Sequence, residues 1–208
     1  MILSDKDIAY CAQEGMITPF LPRQVKASAI IGMAEQRRIS YGCSTAGYDL
    51  RLDPTHGLHY FQRPEVLDPS LQQAVVDPKQ FNPEFLTSLR LLHDINNDQQ
   101  WWELPAYAYA MGLSLETFNI PRDIVGVTLG KSTYARCGLT VNVTPAEPEW
   151  NGRLVVEMFN GLPMPVRVYA SEGIAQMQFH RLSGDPIESY ADRQGKYQGQ
   201  SGIVYAKV

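Results

Sequence analysis

Cysteine is scarce: Cys11, Cys43 and Cys137 are far apart and odd in number. They offer no disulfide framework and no Cys-x-x-Cys pair, which points to a reducing compartment. Apolar runs of about 18 residues are missing, so no membrane span is expected. The opening MILSDKDIAYCAQEG carries acids where a secretory leader is basic and then apolar. The expectation is a cytoplasmic protein. An excess of positive charge is also lacking. The net charge of −4 argues against a nucleic-acid binder and makes any cationic patch local. No repeat with a period of about 20–50 residues is visible, and no proline- or glycine-rich linker divides the chain. A single domain over 1–208 is expected. With 44% hydrophobic and 19% charged residues among 208, the chain can bury a core.

Several chemistries lack their residues. His56, His59, His93 and His180 show no His-x-Glu…Pro-Cys-x-x-Cys spacing with the cysteines, so no zinc is expected. Water would then have to be activated by a carboxylate. Gly126 and Gly130 have three residues between them, whereas a P-loop needs four followed by Gly-Lys-Ser/Thr. No Gly-x-Ser-x-Gly elbow is present.

Many short strand signals are present. Ser4 to Gly15 reads as a short helix, capped by Ser4 with Asp5 and Asp7 at its positive end. Residues 16–40 read as irregular, with Arg37-Arg38 in a solvated loop. Residues 39–42 read as a turn before a strand in which Tyr48, Leu50 and Leu52 alternate with Asp49 and Arg51. Short strands are expected at 59–61 and ending at 75–78. Apolar residues at 85, 86, 89 and 92 fit helical spacing behind Pro83, so a helical insertion is expected near 83–100. Trp101-Trp102 reads as a packing or subunit-contact element. Alternation returns at 106–110. Further strands are expected at 124–129, 139–143, 153–159, 165–169, 174–180 and 203–206, the pattern of an all-β sandwich or barrel. Residues 183–208 begin polar and glycine-rich, a lid or tail composition.

Gly130-Lys131-Ser132-Thr133-Tyr134-Ala135-Arg136 follows an apolar strand. It combines a close-approach glycine, two cations and two hydroxyls, an anion cradle suited to phosphate. A carboxylate, Glu157, lies within the apolar strand Val155-Val156-Glu157-Met158-Phe159. It is expensive there unless used or paired. Arg153 shares its face and is the candidate ion-pair partner. The alternative is a general base whose pKa is raised by burial.

The residues at 130–138, Val-Asn-Val-Thr-Pro at 141–145, Glu-Pro-Glu-Trp at 147–150, Glu157, Gly-Ile-Ala-Gln-Met at 173–177 and Gly-Lys-Tyr-Gln-Gly-Gln at 195–200 closely resemble the dCTP deaminase family. The resemblance implies a mainly β fold of the dUTPase-like type, a distorted β-barrel or jelly roll. It also implies homotrimers with active sites at subunit interfaces. Glu157 would take a proton from the water attacking C4 of cytosine. Arg136 and Ser132 would order that water and the carboxylate. Lys131, Ser132 and Thr133 would hold the triphosphate, and the run through Tyr134, Ala135 and Arg136 would complete the substrate-binding turn. Val155, Val156 and Glu157 would line the base pocket. Gln176, Tyr190, Lys196 and Gln200 would contact sugar or phosphates, the last three from the closing segment 183–208. Mg2+ would arrive on the triphosphate, and dTTP is implied as a feedback inhibitor.

The stretch 83–104 is longer than the family leads one to expect. The segment before Trp150 lacks the aspartate associated with dUTP hydrolysis, although Glu147 stands nearby. The implied activity is deamination of dCTP to dUTP and ammonia. The alternatives are a bifunctional dCTP deaminase/dUTP pyrophosphatase and a catalytically silent nucleotide-binding protein.

Overall fold

The computed structural model describes residues 1–28 and 36–207. Helix α1 (Asp5–Gln13) forms as its cap dictates. The Ser4 side chain accepts from the Asp7 backbone, and the Asp7 carboxylate accepts from the Ser4 backbone. This capping box satisfies otherwise orphaned donors. Ile8 and Cys11 turn inward.

Fourteen strands follow among the described residues: β1 (Ile17–Thr18), β2 (Val25–Ser28), β3 (Gln36–Ser44), β4 (Gly47–Arg51), β5 (His59–Phe61), β6 (Leu86–Ser88), β7 (Leu92–Asp94), β8 (Gln99–Leu104), β9 (Tyr109–Asn119), β10 (Ile124–Gly130), β11 (Leu139–Asn142), β12 (Asn151–Asn160), β13 (Val166–Tyr169) and β14 (Gly173–Arg181). One sheet runs β11-β12-β9-β5-β6 with β1 beside β9. A second runs β10-β14-β4-β3-β2, and a third β13-β8-β7. Neighbouring strands are antiparallel. An isolated bridge from Leu52, just past β4, to Ser114 of β9 ties the two large sheets together, and another, Gly126 to Ala146, holds the loop after β11 against β10. Tyr48, Leu50, Leu113, Phe118, Val156, Met158, Met177 and Phe179 from both sheets belong to one core. The chain is thus mainly β, wrapped about that core, and among the described residues no sheet closes on itself.

Several local expectations are corrected. Residues 83–92 are not a helix. A single 3-10 turn (Pro83–Phe85) leads into β6, which pairs with β5, and Leu92–Asp94 turns back onto β8. The apolar spacing matches a helix only by coincidence: Phe85 is buried at the end of the 3-10 turn, Leu89 lies between strands, and Leu86 and Leu92 are partly buried in three-residue strands too short to show a period of two. Residues 39–42 lie inside β3 rather than in a turn. There Arg38 is half-buried and ion-paired to Glu172 at 3.0 Å, so it is no solvated loop residue. Within the stretch expected to be irregular, β1 and β2 are formed, and 29–35 lie outside the described residues. Residues 75–78 and 203–206 carry no strand. The alternation at 106–110 becomes a strand only from Tyr109, because Tyr107 takes a positive φ of 58° in the preceding turn.

The tryptophan pair splits. Trp102 is 1% exposed in the core. Trp101 stays at the surface, with the Arg167 guanidinium 4.3 Å from its ring centroid, a cation–π contact.

Candidate active site

Strand β12 positions the site. Its burial alternates, with Leu154, Val156 and Met158 in the core and Val155 and Glu157 on the other face. Glu157 lies between Asn142 of β11 and Met111 of β9 in register. It opens into a cavity of about 680 Å³ whose walls include Phe61, Tyr109, Met111, Val155 and Trp150. Glu157 Oε2 is buried and, among the described residues, has no hydrogen-bond partner. Desolvation raises the carboxyl to about 7, opposed only in part by a hydrogen bond from its own backbone. An acid poised near neutrality can give and take a proton at physiological pH.

The expected Arg153–Glu157 ion pair does not form. Pairing with β9 slips between Arg153 and Val155. Arg153 Nη2 instead donates to Asp53 Oδ2 at 2.7 Å, and Nε donates to the Ser114 carbonyl.

The segment after β14 closes the cavity. Tyr190, Arg193, Lys196, Gln200, Val204 and Ala206 contribute to its lining. This segment is stitched to β12 and the loop before it. Trp150 Nε1 donates to the Tyr197 carbonyl at 3.1 Å. Gln200 Nε2 donates to the Arg153 carbonyl at 2.6 Å, and the Arg153 N–H donates to the Gln200 carbonyl. Gly152 makes this approach possible: its φ is +144°, and a Cβ there would lie 2.8 Å from the Gln200 carbonyl oxygen. Tyr205 stacks on Phe81 at 5.2 Å, and Phe81 in turn meets the edge of Phe61.

A second cluster gathers around Asp49, which is 1% exposed. Lys131 Nζ donates to it at 2.7 Å, and Gln176 Nε2 donates to it at 3.1 Å and to Ser44 Oγ at 3.0 Å. Lys131 leads into a four-residue helical turn, α2 (Ser132–Ala135). Ser132, Thr133, Ala135 and Arg136 are exposed. Among the described residues, the side chains of Ser132 and Arg136 have no hydrogen-bond or ion-pair partner. Tyr134 is buried, and its hydroxyl accepts from the Tyr169 N–H at 2.9 Å. Its side chain anchors the turn rather than facing solvent.

Glu157, Val155, Tyr190, Lys196 and Gln200 therefore share one cavity, whereas Val156, expected to line it, does not and points into the core. Lys131, Ser132, Thr133, Arg136 and Gln176 form a separate surface within the same chain and do not line that cavity. Sequence reasoning missed Phe61, Phe81, Tyr109, Met111 and Arg193. For Tyr109 and Met111 a signal existed: alternation places both on one face of β9, and the pairing of β9 with β12 makes that the Glu157 face.

A desolvated carboxylate over a largely apolar slot, with cations on its closing edge, suits proton transfer on a flat base carrying an anionic tail. The chain belongs to the dCTP deaminase-like family, whose model matches residues 2–182. It is 43% identical over 211 residues to a dCTP deaminase of Xylella fastidiosa (strain 9a5c), covering 100% of this chain and 99% of the relative. It is 44% identical over 205 residues to one of Halorhodospira halophila, covering 98% and 97%, and 43% identical over 208 residues to one of Pseudomonas aeruginosa (strain UCBPP-PA14), covering 100% and 99%. The fold is similar to the crystal structure of 2'-deoxycytidine 5'-triphosphate deaminase from Agrobacterium tumefaciens. The TM-score is 0.51 at 17% identity, covering 86% of this chain and 47% of that one. No helix among the described residues is long and apolar enough to cross a membrane.

Proposed function

We propose that this chain hydrolyses dCTP to dUTP and ammonia, with Glu157 as the general base. The observation that carries the mechanism is the buried, unpartnered Glu157 oxygen in an apolar cavity. Full-length likeness to dCTP deaminases supplies the substrate. Glu157 takes a proton from a water as that water attacks C4 of the cytosine. A tetrahedral centre forms, Glu157 returns the proton to the amino nitrogen, and the C4–N bond breaks to release ammonia. The apolar walls around Met111 and Val155 keep bulk water away and hold the carboxyl near neutrality. Tyr190, Lys196 and Gln200 reach the sugar and phosphates from the closing segment.

The separation of Lys131, Ser132 and Arg136 from Glu157 supports sites that each join surfaces of two copies, and the homotrimer that the family resemblance implies would provide them. The free Ser132 hydroxyl and Arg136 guanidinium of one copy would order the water beside Glu157 of the next. Lys131 and Thr133 would meet the phosphates there. The carboxylates of the cavity are Glu147, ion-paired to Arg193, and the desolvated Glu157. That pair suits Mg2+ carried on the triphosphate, where it neutralises phosphate charge, better than a protein cage. dTTP, with the same phosphates, would compete at this site. The free thiols Cys11, Cys43 and Cys137 suit a cytoplasmic location.

The test is incubation of the purified chain with dCTP and Mg2+, with nucleotides resolved by chromatography. dUTP with ammonia is the expected product. dUMP with pyrophosphate would make the enzyme bifunctional, and bound but unconverted dCTP would leave a silent binder.

A further inference from the structure

We infer that Arg193 is a phosphate-binding residue held in reserve by Glu147, so that the incoming nucleotide must exchange a carboxylate for its own phosphate. The inference rests on the dCTP reading above and concerns how that site takes its triphosphate. Among the described residues, four charged side chains line the cavity: Glu147, Glu157, Arg193 and Lys196. With two acids against two bases, the part of the site that this one chain supplies has little net attraction for a polyanion. Both cations lie on the closing segment, and both are engaged. Lys196 Nζ donates to the Lys207 carbonyl at 2.6 Å. Arg193 Nη2 donates to Glu147 Oε2.

The backbone of Arg193 is fixed, whereas its side chain is free to exchange partners. The turn before it is locked by reciprocal hydrogen bonds between Ser189 and Asp192, at 3.0 and 3.1 Å. Asp192 is also ion-paired to Arg122 at 2.9 Å. The guanidinium itself lies over the Tyr190 ring, 5.3 Å from its centroid. Stacking there leaves the planar fork free to meet acceptors edge-on. The Arg193 and Glu147 side chains are 48% and 44% exposed, and an ion pair that wet is held weakly. A phosphate offers the same guanidinium a bidentate partner with more charge. Exchange is therefore favourable, and Glu147 becomes a screen that admits the triphosphate over ligands with a single phosphate.

The experiment uses the full-length protein as wild type, Arg193→Gln, Arg193→Lys, Glu147→Gln and the Arg193→Gln/Glu147→Gln double variant. Calorimetry with Mg2+, with each variant placed in a Glu157→Gln background that suppresses turnover, measures dCTP and dCMP binding, and steady-state kinetics in the Glu157 background gives KM and kcat for dCTP. Arg193→Gln should weaken dCTP about tenfold, the scale of one charge-assisted hydrogen bond, and dCMP much less. Arg193→Lys should fall between, keeping the charge and losing the fork. Glu147→Gln should tighten dCTP, and that gain should vanish in the double variant. Both positions are half-exposed, and thermal midpoints near wild type would exclude misfolding.

Unchanged dCTP affinity in Arg193→Gln overturns the inference. So does a Glu147→Gln effect of equal size with and without Arg193, which would mean that Glu147 acts on the nucleotide directly and not through Arg193. Because binding is read apart from turnover, a wild type that binds dCTP without converting it would remove the deaminase reading and leave this test standing.

Discussion

Arg153 gives its guanidinium to Asp53 at 2.7 Å, and Glu157, farther along the same strand and face, is left without a cation among the described residues. Burial works against the Asp53 charge, but hydrogen bonds from Thr55, His56 and Arg153 outweigh it and hold the carboxyl far below its usual range. One strand thus carries a cation fully committed to structure and an acid committed to nothing else. The absence of a cation is what lets desolvation raise Glu157 to about 7.

Glu157→Gln should retain dCTP binding and lose at least ~10²-fold in kcat, a typical general-base contribution. The pH profile adds a second reading. A base must be ionised to act, so kcat/KM should rise with pH along an acid limb at or below about 7. Arg136 of a neighbouring copy would favour the ionised form and pull that limb down. Arg136→Gln should move it upward. A limb that stays in place in Arg136→Gln would show that the guanidinium does not face the carboxylate.

Complementation tests the division of the site between copies. Homogeneous Glu157→Gln and Arg136→Gln proteins should each be nearly inactive. If each site takes Glu157 from one chain and Arg136 from another, mixed trimers contain a fraction of sites with both groups intact. Unfolding and refolding the two variants together should therefore restore a measurable part of the wild-type rate. Restoration should be absent when each is refolded alone. No recovery, with mixed trimers demonstrated by tagged subunits, would put the whole site in one chain.

What could be read from the sequence follows the range of the forces involved. Strands β10, β12 and β14 were legible because each is long enough to show its alternation. The cap at Ser4 was legible because Asp7 lies within the same turn. Glu157 was legible because an acid in an apolar strand needs a reason. The 83–104 stretch was not, because β6 and β7 are each three residues long and take their conformation from distant partners, β5 and β8. The partner of Arg153 was hidden for the same reason: Asp53 arrives through tertiary folding, and the slip between Arg153 and Val155 is invisible to a strict period of two. The aromatic wall shared by Phe61, Phe81 and Tyr205 draws on three remote segments, and no local pattern links them.

The two tryptophans should separate cleanly in stability. Trp102 is fully buried, and its replacement by Ala should cost about 3–5 kcal/mol. Trp101→Ala loses a surface cation–π contact with Arg167, worth about 0.5–1 kcal/mol. Chemical denaturation of the two variants measures the difference. Equal losses would mean that Trp101 is covered in the assembled protein, making β8 and β13 part of a subunit contact.

Glu157 also couples stability to pH, and the sign follows from its raised pKa. Between the ordinary value of 4.5 and about 7, the folded chain holds a proton that the unfolded chain has released. Stability from this group is therefore present below about pH 4.5 and is lost as pH rises through 7. Above that pH the folded state carries a desolvated charge. Glu157→Gln cannot ionise and escapes the penalty. It should melt higher than wild type at pH 8, by an amount on the order of 1–3 kcal/mol, and the advantage should shrink toward pH 5. Thermal melts of both proteins at the two pH values measure it. A constant offset would show that the gain comes from packing of the amide. An advantage that grows with pH would tie the stability cost to the same ionisation that the reaction requires.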